Sequence, residues 1–135
     1  MKQPAANHFL FANDLFSQWL GIEQLELQPG YCKLKMIIRK EMCNGYGIAH
    51  GGITYSFADS ALAFASNTTD KQSVSIETSI SHIKMLKPGA VIIATATQKN
   101  SSNKIGIYEV VITNENNELV ALFKGTVYHR DLPAT

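Results

Sequence analysis

The sequence predicts an α+β domain in which a curved antiparallel sheet wraps around a long central apolar α-helix, and three observations carry that prediction. The elements run helix, two strands, long apolar helix, four strands. The long helix, residues 51 to 66, is apolar around most of its circumference and has to be covered on most sides. The strand-like segments after it are joined by short connections, which makes their pairing antiparallel. With 135 residues, the chain holds one domain, from 1 to 135, with one sizeable core.

Residues 8 to 20 predict the first helix, because Phe11, Leu15 and Trp19 recur every four positions and Gly21 supplies a stop. Residues 22 to 28 alternate loosely as a short strand and end at the turn pair Pro29-Gly30. The alternation from 32 to 38 is clear, with Cys32, Leu34, Met36 and Ile38 on one face and Lys33 and Lys35 on the other. A loop with Gly45 and Gly47 fills 43 to 50, and the long helix follows. Residues 73 to 85 are rich in β-branched side chains and end at Lys87-Pro88-Gly89. Three more strands, at 91 to 99, 105 to 113 and 119 to 129, are separated by the turn formers of 100 to 103 and 114 to 117. The tail DLPAT is expected to fray.

Composition excludes several classes of function. Hydrophobic residues make up 45% and charged residues 17% of the chain, with a net charge of +1, so neither a nucleic-acid surface nor a polybasic membrane patch is expected. The apolar run FLFA is too short for a signal-peptide core, and no segment is long enough to span a bilayer. The two cysteines, Cys32 and Cys43, lack metal-site spacing and fit a reducing cytoplasm.

The chemistry concentrates in NGYGIAHGGITYSFADSALAFAS, residues 44 to 66. Gly52, Tyr55, Ser56, Asp59, Ala63 and Ser66 form one helical stripe, polar and small, while Ile53, Phe57, Ala61 and Phe64 form a core stripe. Asp59 is the one fixed charge between Met42 and Thr69. Desolvation there raises a carboxylate's pKa, which suits a general base at neutral pH. The competing assignment is a structural cap or ion pair. The pair Gly51-Gly52 after His50 opens the helix with exposed N–H groups at the positive end of its dipole, able to receive an anion or a developing oxyanion. A tight turn at a helix start is the plainer reading of that pair. Gly51 and Asp59 are eight residues apart, about 12 Å along the axis, whereas a base and an oxyanion donor must both lie near one reacting carbonyl. If they act together, two helices pack antiparallel across a two-fold axis and the sites lie at a homodimer interface.

The pattern N-x5-H-G-G-x6-D (Asn44, His50, Gly51, Gly52, Asp59), followed by ALAFASN, resembles the hotdog-fold acyl-CoA thioesterases of the phenylacetic acid degradation (PaaI-like) type. LGIE, MLKPG and NENNELVALFKGTVYHR resemble corresponding family segments, so the likeness spans nearly the whole chain. One departure is that KPG runs straight into AVIIATA, where members often carry a longer segment. The resemblance implies hydrolysis of an aryl-acetyl or medium-chain acyl-CoA to free acid and coenzyme A. Asp59 is then base or nucleophile and the Gly51 N–H the oxyanion donor. His50 orients the glycine turn or the substrate, and Asn44 orients water or supports the loop. It further implies a Ser or Thr on the following strand that contacts the acid, Thr78 or else Ser75, with coenzyme contacts among Lys84, Lys87 and Arg130. No cofactor is implied, since coenzyme A belongs to the substrate, and the homodimer is expected to pair into a homotetramer.

Two other functions are weighed. A non-catalytic acyl-CoA-binding module is disfavoured by the intact Asp59. A hydratase-like lyase wants a His after the Asp, whereas His50 precedes it. Tyr55, on the Asp59 stripe, and Gly52 are expected to meet substrate. His8, His82 and His129 are expected to be surface or satisfied core histidines with no metal role, and Cys43 an inert thiol. Phe9, Phe11, Phe16 and Trp19 are expected to pack the first helix onto the sheet.

Overall fold

A computed structural model describes residues 5–68 and 71–131, with side chains from Phe9 onward. The order is α1 (Ala5–Asn13), α2 (Leu15–Leu20), β1 (Glu23–Gln28), β2 (Tyr31–Ile37), a short 3-10 turn (Lys40–Met42), α3 (Gly51–Ser66), β3 (Lys71–His82), β4 (Val91–Ser101), β5 (Ile105–Asn114) and β6 (Leu119–Asp131). The six strands form one antiparallel sheet in the order β1-β2-β4-β5-β6-β3. α3 lies across its concave face against β2 through β6. This is the predicted hotdog arrangement. His8's side chain and the tail from residue 132 lie outside the described residues. No helix is long and apolar enough to cross a membrane, among the described residues.

The strand periodicity holds because one face of the sheet is buried. Cys32, Leu34, Met36 and Ile38 are at most 1% exposed, as are Ile92, Ala94 and Ala96 opposite them. Phe57, Ala61 and Phe64 of the α3 core stripe are fully buried on that face. Cys32 Sγ donates to the Ala61 carbonyl at 3.2 Å, and burial pushes its thiol to about 12, so it is unreactive at neutral pH. Cys43, half-buried, points its Sγ at the Arg39 carbonyl.

The first helix is the main correction. It breaks at Asp14, whose side chain caps α2 by accepting from the Ser17 N–H at 3.0 Å. A capping aspartate takes non-helical dihedrals, φ −86° and ψ 85° here, so the second half turns away from the four-residue stripe. Leu15 is 76% exposed while Leu20 is fully buried. Phe9, Phe16 and Trp19 are exposed, and of the four aromatics only Phe11 packs inward, its ring 5.5 Å from that of Phe64. α2 ends as predicted at Gly21, left-handed at φ 76°. Arg39 donates to the Trp19 and Leu20 carbonyls there, complementing the negative end of the helix dipole.

β3 is shorter than the predicted 73 to 85 at its far end. The N–H groups of Ile83 and Lys84 both turn to the Val120 carbonyl, which ends the ladder at His82. Its register on β6 shifts between Ser75 and Glu77, a β-bulge that controls which side chains meet α3.

His129 of β6 is a satisfied core histidine, as expected. Its Nδ1 is 2.8 Å from Ser73 Oγ and its Nε2 3.3 Å from Ser101 Oγ. Burial first, then the charge of Lys71, holds its pKa below the ordinary 6.5. The unfolded chain therefore binds this proton more readily than the folded one, and stability falls as pH drops through 6.5 towards the folded value. Melting curves between pH 8 and 5 are expected to show that loss, and His129→Gln is expected to reduce it.

Candidate active site

α3 and β3 run antiparallel, and the bulge sets Ser73 and Ser75 on the same side as Thr78, Ile80 and His82. One side of α3, buried at Thr54 and Ser66 and half-buried at Tyr55 and Asp59, meets them in reverse order. Thr54 Oγ1 lies 3.1 Å from His82 Nδ1, the Tyr55 and Thr78 hydroxyls are hydrogen-bonded, Asp59 shares a recess with Ser75, and the Ser66 carbonyl accepts from Ser73 Oγ at 2.9 Å.

Asp59 sits half-buried in a small recess of about 50 Å³ with Leu62, Ala63, Ser66, Ser73, Ser75 and Val127. Burial first, then the negative charge of Asp14, raises its pKa above the ordinary carboxylate value. Asp14 is tied to α3 by Ser17, which bonds both the Asp14 carboxylate at 2.6 Å and the Ser60 hydroxyl at 2.7 Å. Asp59 has no ion-pair or hydrogen-bond partner among the described residues. The structural-cap assignment therefore finds no support in its contacts.

The glycine turn forms a second, larger recess of about 260 Å³, lined by Asn44, Gly51, Thr54, His82 and the segment Ile83 to Leu86. His50 is the N-cap of α3, its Nδ1 accepting from the Gly52 N–H at 3.2 Å. That fixes the turn and leaves the Gly51 N–H, which has no acceptor inside the helix, open to the outside. Asn44 Oδ1 accepts from Tyr46 N–H at 2.9 Å and Ile48 N–H at 3.4 Å, so this side chain braces the loop before the helix.

Among the residues singled out from sequence, Asn44, His50, Gly51 and Gly52 come together at the start of α3. Asp59 and Ser75 come together at its middle. Tyr55 and Thr78 hold each other between the two recesses, with the Tyr55 ring edge-on to Phe123 at 5.7 Å. Thr78, favoured over Ser75 as the partner of the acid, bonds Tyr55 instead, because the bulge shifts the count along β3. Of the basic residues, Lys84 pairs with Glu118 at 3.1 Å, and Arg130 donates to Gln72 at 2.6 Å. His82, expected to be a surface or satisfied core histidine, is exposed and stands on the wall of the Gly51 recess. Its place four positions beyond Thr78 on the same strand face is the signal for it. Among the described residues, no group of three or more His, Cys, Asp or Glu side chains could hold a metal ion.

The pattern of the thioesterase superfamily matches residues 46–121, which include both Gly51 and Asp59. A candidate esterase of Archaeoglobus fulgidus is 39% identical over 129 residues, 94% of this chain and 84% of that protein. The acyl-coenzyme A thioesterase PaaI of Escherichia coli is 30% identical over 118 residues, 87% of this chain and 84% of that protein. The solved structure of the E. coli PaaI protein from the phenylacetic acid degradation operon matches with a TM-score of 0.91 at 28% identity, over 96% of this chain and 94% of that one.

Proposed function

The chain belongs to the thioesterase superfamily, and from that premise we propose that it hydrolyses acyl-coenzyme A, with Asp59 as base or nucleophile and the Gly51 N–H as oxyanion donor from the other subunit of a homodimer. Membership makes it a thioester hydrolase of PaaI-like hotdog type. Coenzyme A and an aryl-acetyl or medium-chain acyl group are the substrate features proposed by analogy with the E. coli relative. The observation that carries the residue assignment is the separation of two half-sites: an unpaired, raised-pKa carboxylate in one recess and an open N–H in another.

The edge of β3 supports the dimer. In the sheet order it is an end strand, with β6 on one side only. It is 12 residues long and carries exposed Val74 and Ile76, with Ile83 and Met85 just beyond it, an edge that a monomer would be expected to protect. Pairing it with a second copy about a two-fold axis near Thr78 sets residue 75 opposite 81 and residue 73 opposite 83. The Asp59 recess of one subunit then faces the Gly51 recess of the other, and two equivalent sites result.

In this mechanism Asp59, partly dehydrated, takes a proton from water as the water attacks the thioester carbonyl. The developing oxyanion lies on the Gly51 N–H at the positive end of α3, the C–S bond breaks, and the electron pair leaves with sulfur. Direct attack by the carboxylate, forming an anhydride that water then opens, uses the same groups. We further propose a cytoplasmic homotetramer, a pair of such dimers. Light scattering reads the assembly.

The test is coenzyme A release from a panel of aromatic and aliphatic acyl-CoAs. Saturable turnover that ranks the acyl groups is the expected result. Tight binding of acyl-CoA without release by the native protein would replace the hydrolytic function with the binding-module one.

A further inference from the structure

We propose that His82 is a positioning residue that accepts a hydrogen bond from an amide N–H on the thiol arm of the substrate, two carbons from the thioester sulfur. The assignment rests on the hydrolytic function above. His82 ends β3, and its ring lies against the start of α3. Its Nδ1 is 3.1 Å from Thr54 Oγ1, and Thr54 Oγ1 donates to the Gly51 carbonyl at 3.1 Å, the bond a helical threonine commonly makes to the preceding turn. A hydroxyl has one proton to give. With that proton on the Gly51 carbonyl, Oγ1 accepts from His82, Nδ1 carries the imidazole proton, and Nε2 keeps its lone pair. The tautomer is thus assigned from the network.

Nε2 stands 3.4 Å from the point that a Cβ on Gly51 would occupy. It bonds no described residue. The same recess offers donors in the Gly51 N–H and the Asn44 side-chain amide, with Lys84 at its rim. A lone pair beside an oxyanion donor does not stabilise the oxyanion, because it presents negative potential to developing negative charge. It does suit a donor held next to the reacting carbonyl. In a thioester of the coenzyme A type, the first amide nitrogen lies three bonds from sulfur, a few ångströms from the carbonyl oxygen. An N–H there, anchored on Nε2, would hold that oxygen on the Gly51 N–H, at the small cost of one ordered contact and no side-chain movement.

Two small thioesters of one acyl group isolate the contact. One is made on N-acetylcysteamine, which carries the amide N–H. The other is made on 2-mercaptoethyl acetate, in which ester oxygen replaces that N–H. The native protein is expected to favour the amide probe in kcat/KM by about ten-fold, the size of one neutral hydrogen bond. His82→Phe is expected to bring the ratio near one, whatever its common effect on the two rates. His82→Gln, whose side-chain carbonyl is again an acceptor, is expected to retain most of the preference. Equal losses on both probes, or an unchanged ratio in His82→Phe, overturn the assignment while leaving the hydrolytic function standing. A native protein that turns over neither probe nor any acyl-CoA overturns the hydrolytic function and this assignment with it.

Discussion

Asp59→Asn lowers kcat about 10³-fold on the best acyl-CoA substrate, within the range that a positioned base contributes. KM changes little, because Asn keeps the shape of the recess and the carboxylate has no hydrogen-bonded partner to release, among the described residues. The same substitution is expected to stabilise the fold. The pKa of Asp59 is raised in the folded protein, so folding takes up a proton in the window above the ordinary 3.8, and its contribution to stability is lost as pH rises to the folded value. At pH 7 the folded protein holds a desolvated charge near Asp14, and Asn removes it. Calorimetry at pH 7 is expected to show Tm higher by about 3 °C in the variant, activity and stability moving in opposite directions as at many catalytic sites. The native kcat is expected to rise with pH through the raised pKa of Asp59, since the ionised form is the base. Unchanged kcat in the variant would make Asp59 a structural residue.

How far such a site is legible in sequence depends on which forces set it. The strand around Cys32 to Ile38 is legible because one face is buried, and an apolar period of two fits a half-buried strand and no helix. The bounds of α3 are legible because Gly51-Gly52 and a long apolar run mark a buried helix. The stripe carrying Asp59 follows from helical geometry alone. The break at Asp14 is not legible, because an aspartate inside an apolar periodicity passes for a solvent-facing position until its cap on Ser17 is seen. The bulge between Ser75 and Glu77 shifts the alternation of β3 by one residue, so that Thr78 meets Tyr55 while Ser75 lines the Asp59 recess. Counting back from Pro88 assumes an unbroken strand. The strand face of His82 can be counted from Thr78, but its neighbours, Thr54 and Gly51, are remote along the chain, and only the antiparallel run of β3 over α3 brings them together.

Gly51→Pro is expected to lower kcat about 10²- to 10³-fold, the loss that follows removal of one oxyanion-hole donor, and to leave the fold intact. Gly51 is the first residue of α3, a position where proline is favoured because its missing N–H has no acceptor in the helix anyway. The residue before it must be extended, and His50 already is, at φ −61° and ψ 140°. The substitution deletes the proton donor and also sets a ring carbon 3.4 Å from His82 Nε2, and far-UV circular dichroism checks that the helix survives. Paired with Asp59→Asn it also decides whether the site is shared. If base and donor come from different subunits, a mixed dimer of the two variants has one intact site. That site takes its Gly51 from the subunit carrying Asp59→Asn and its Asp59 from the subunit carrying Gly51→Pro. Unfolding and refolding an equal mixture of the two inactive proteins then restores about one quarter of native activity, since about half of the dimers are mixed and each has one working site of two. If both groups served one active site within a subunit, every site in the mixture would lack one of them, and no activity would return.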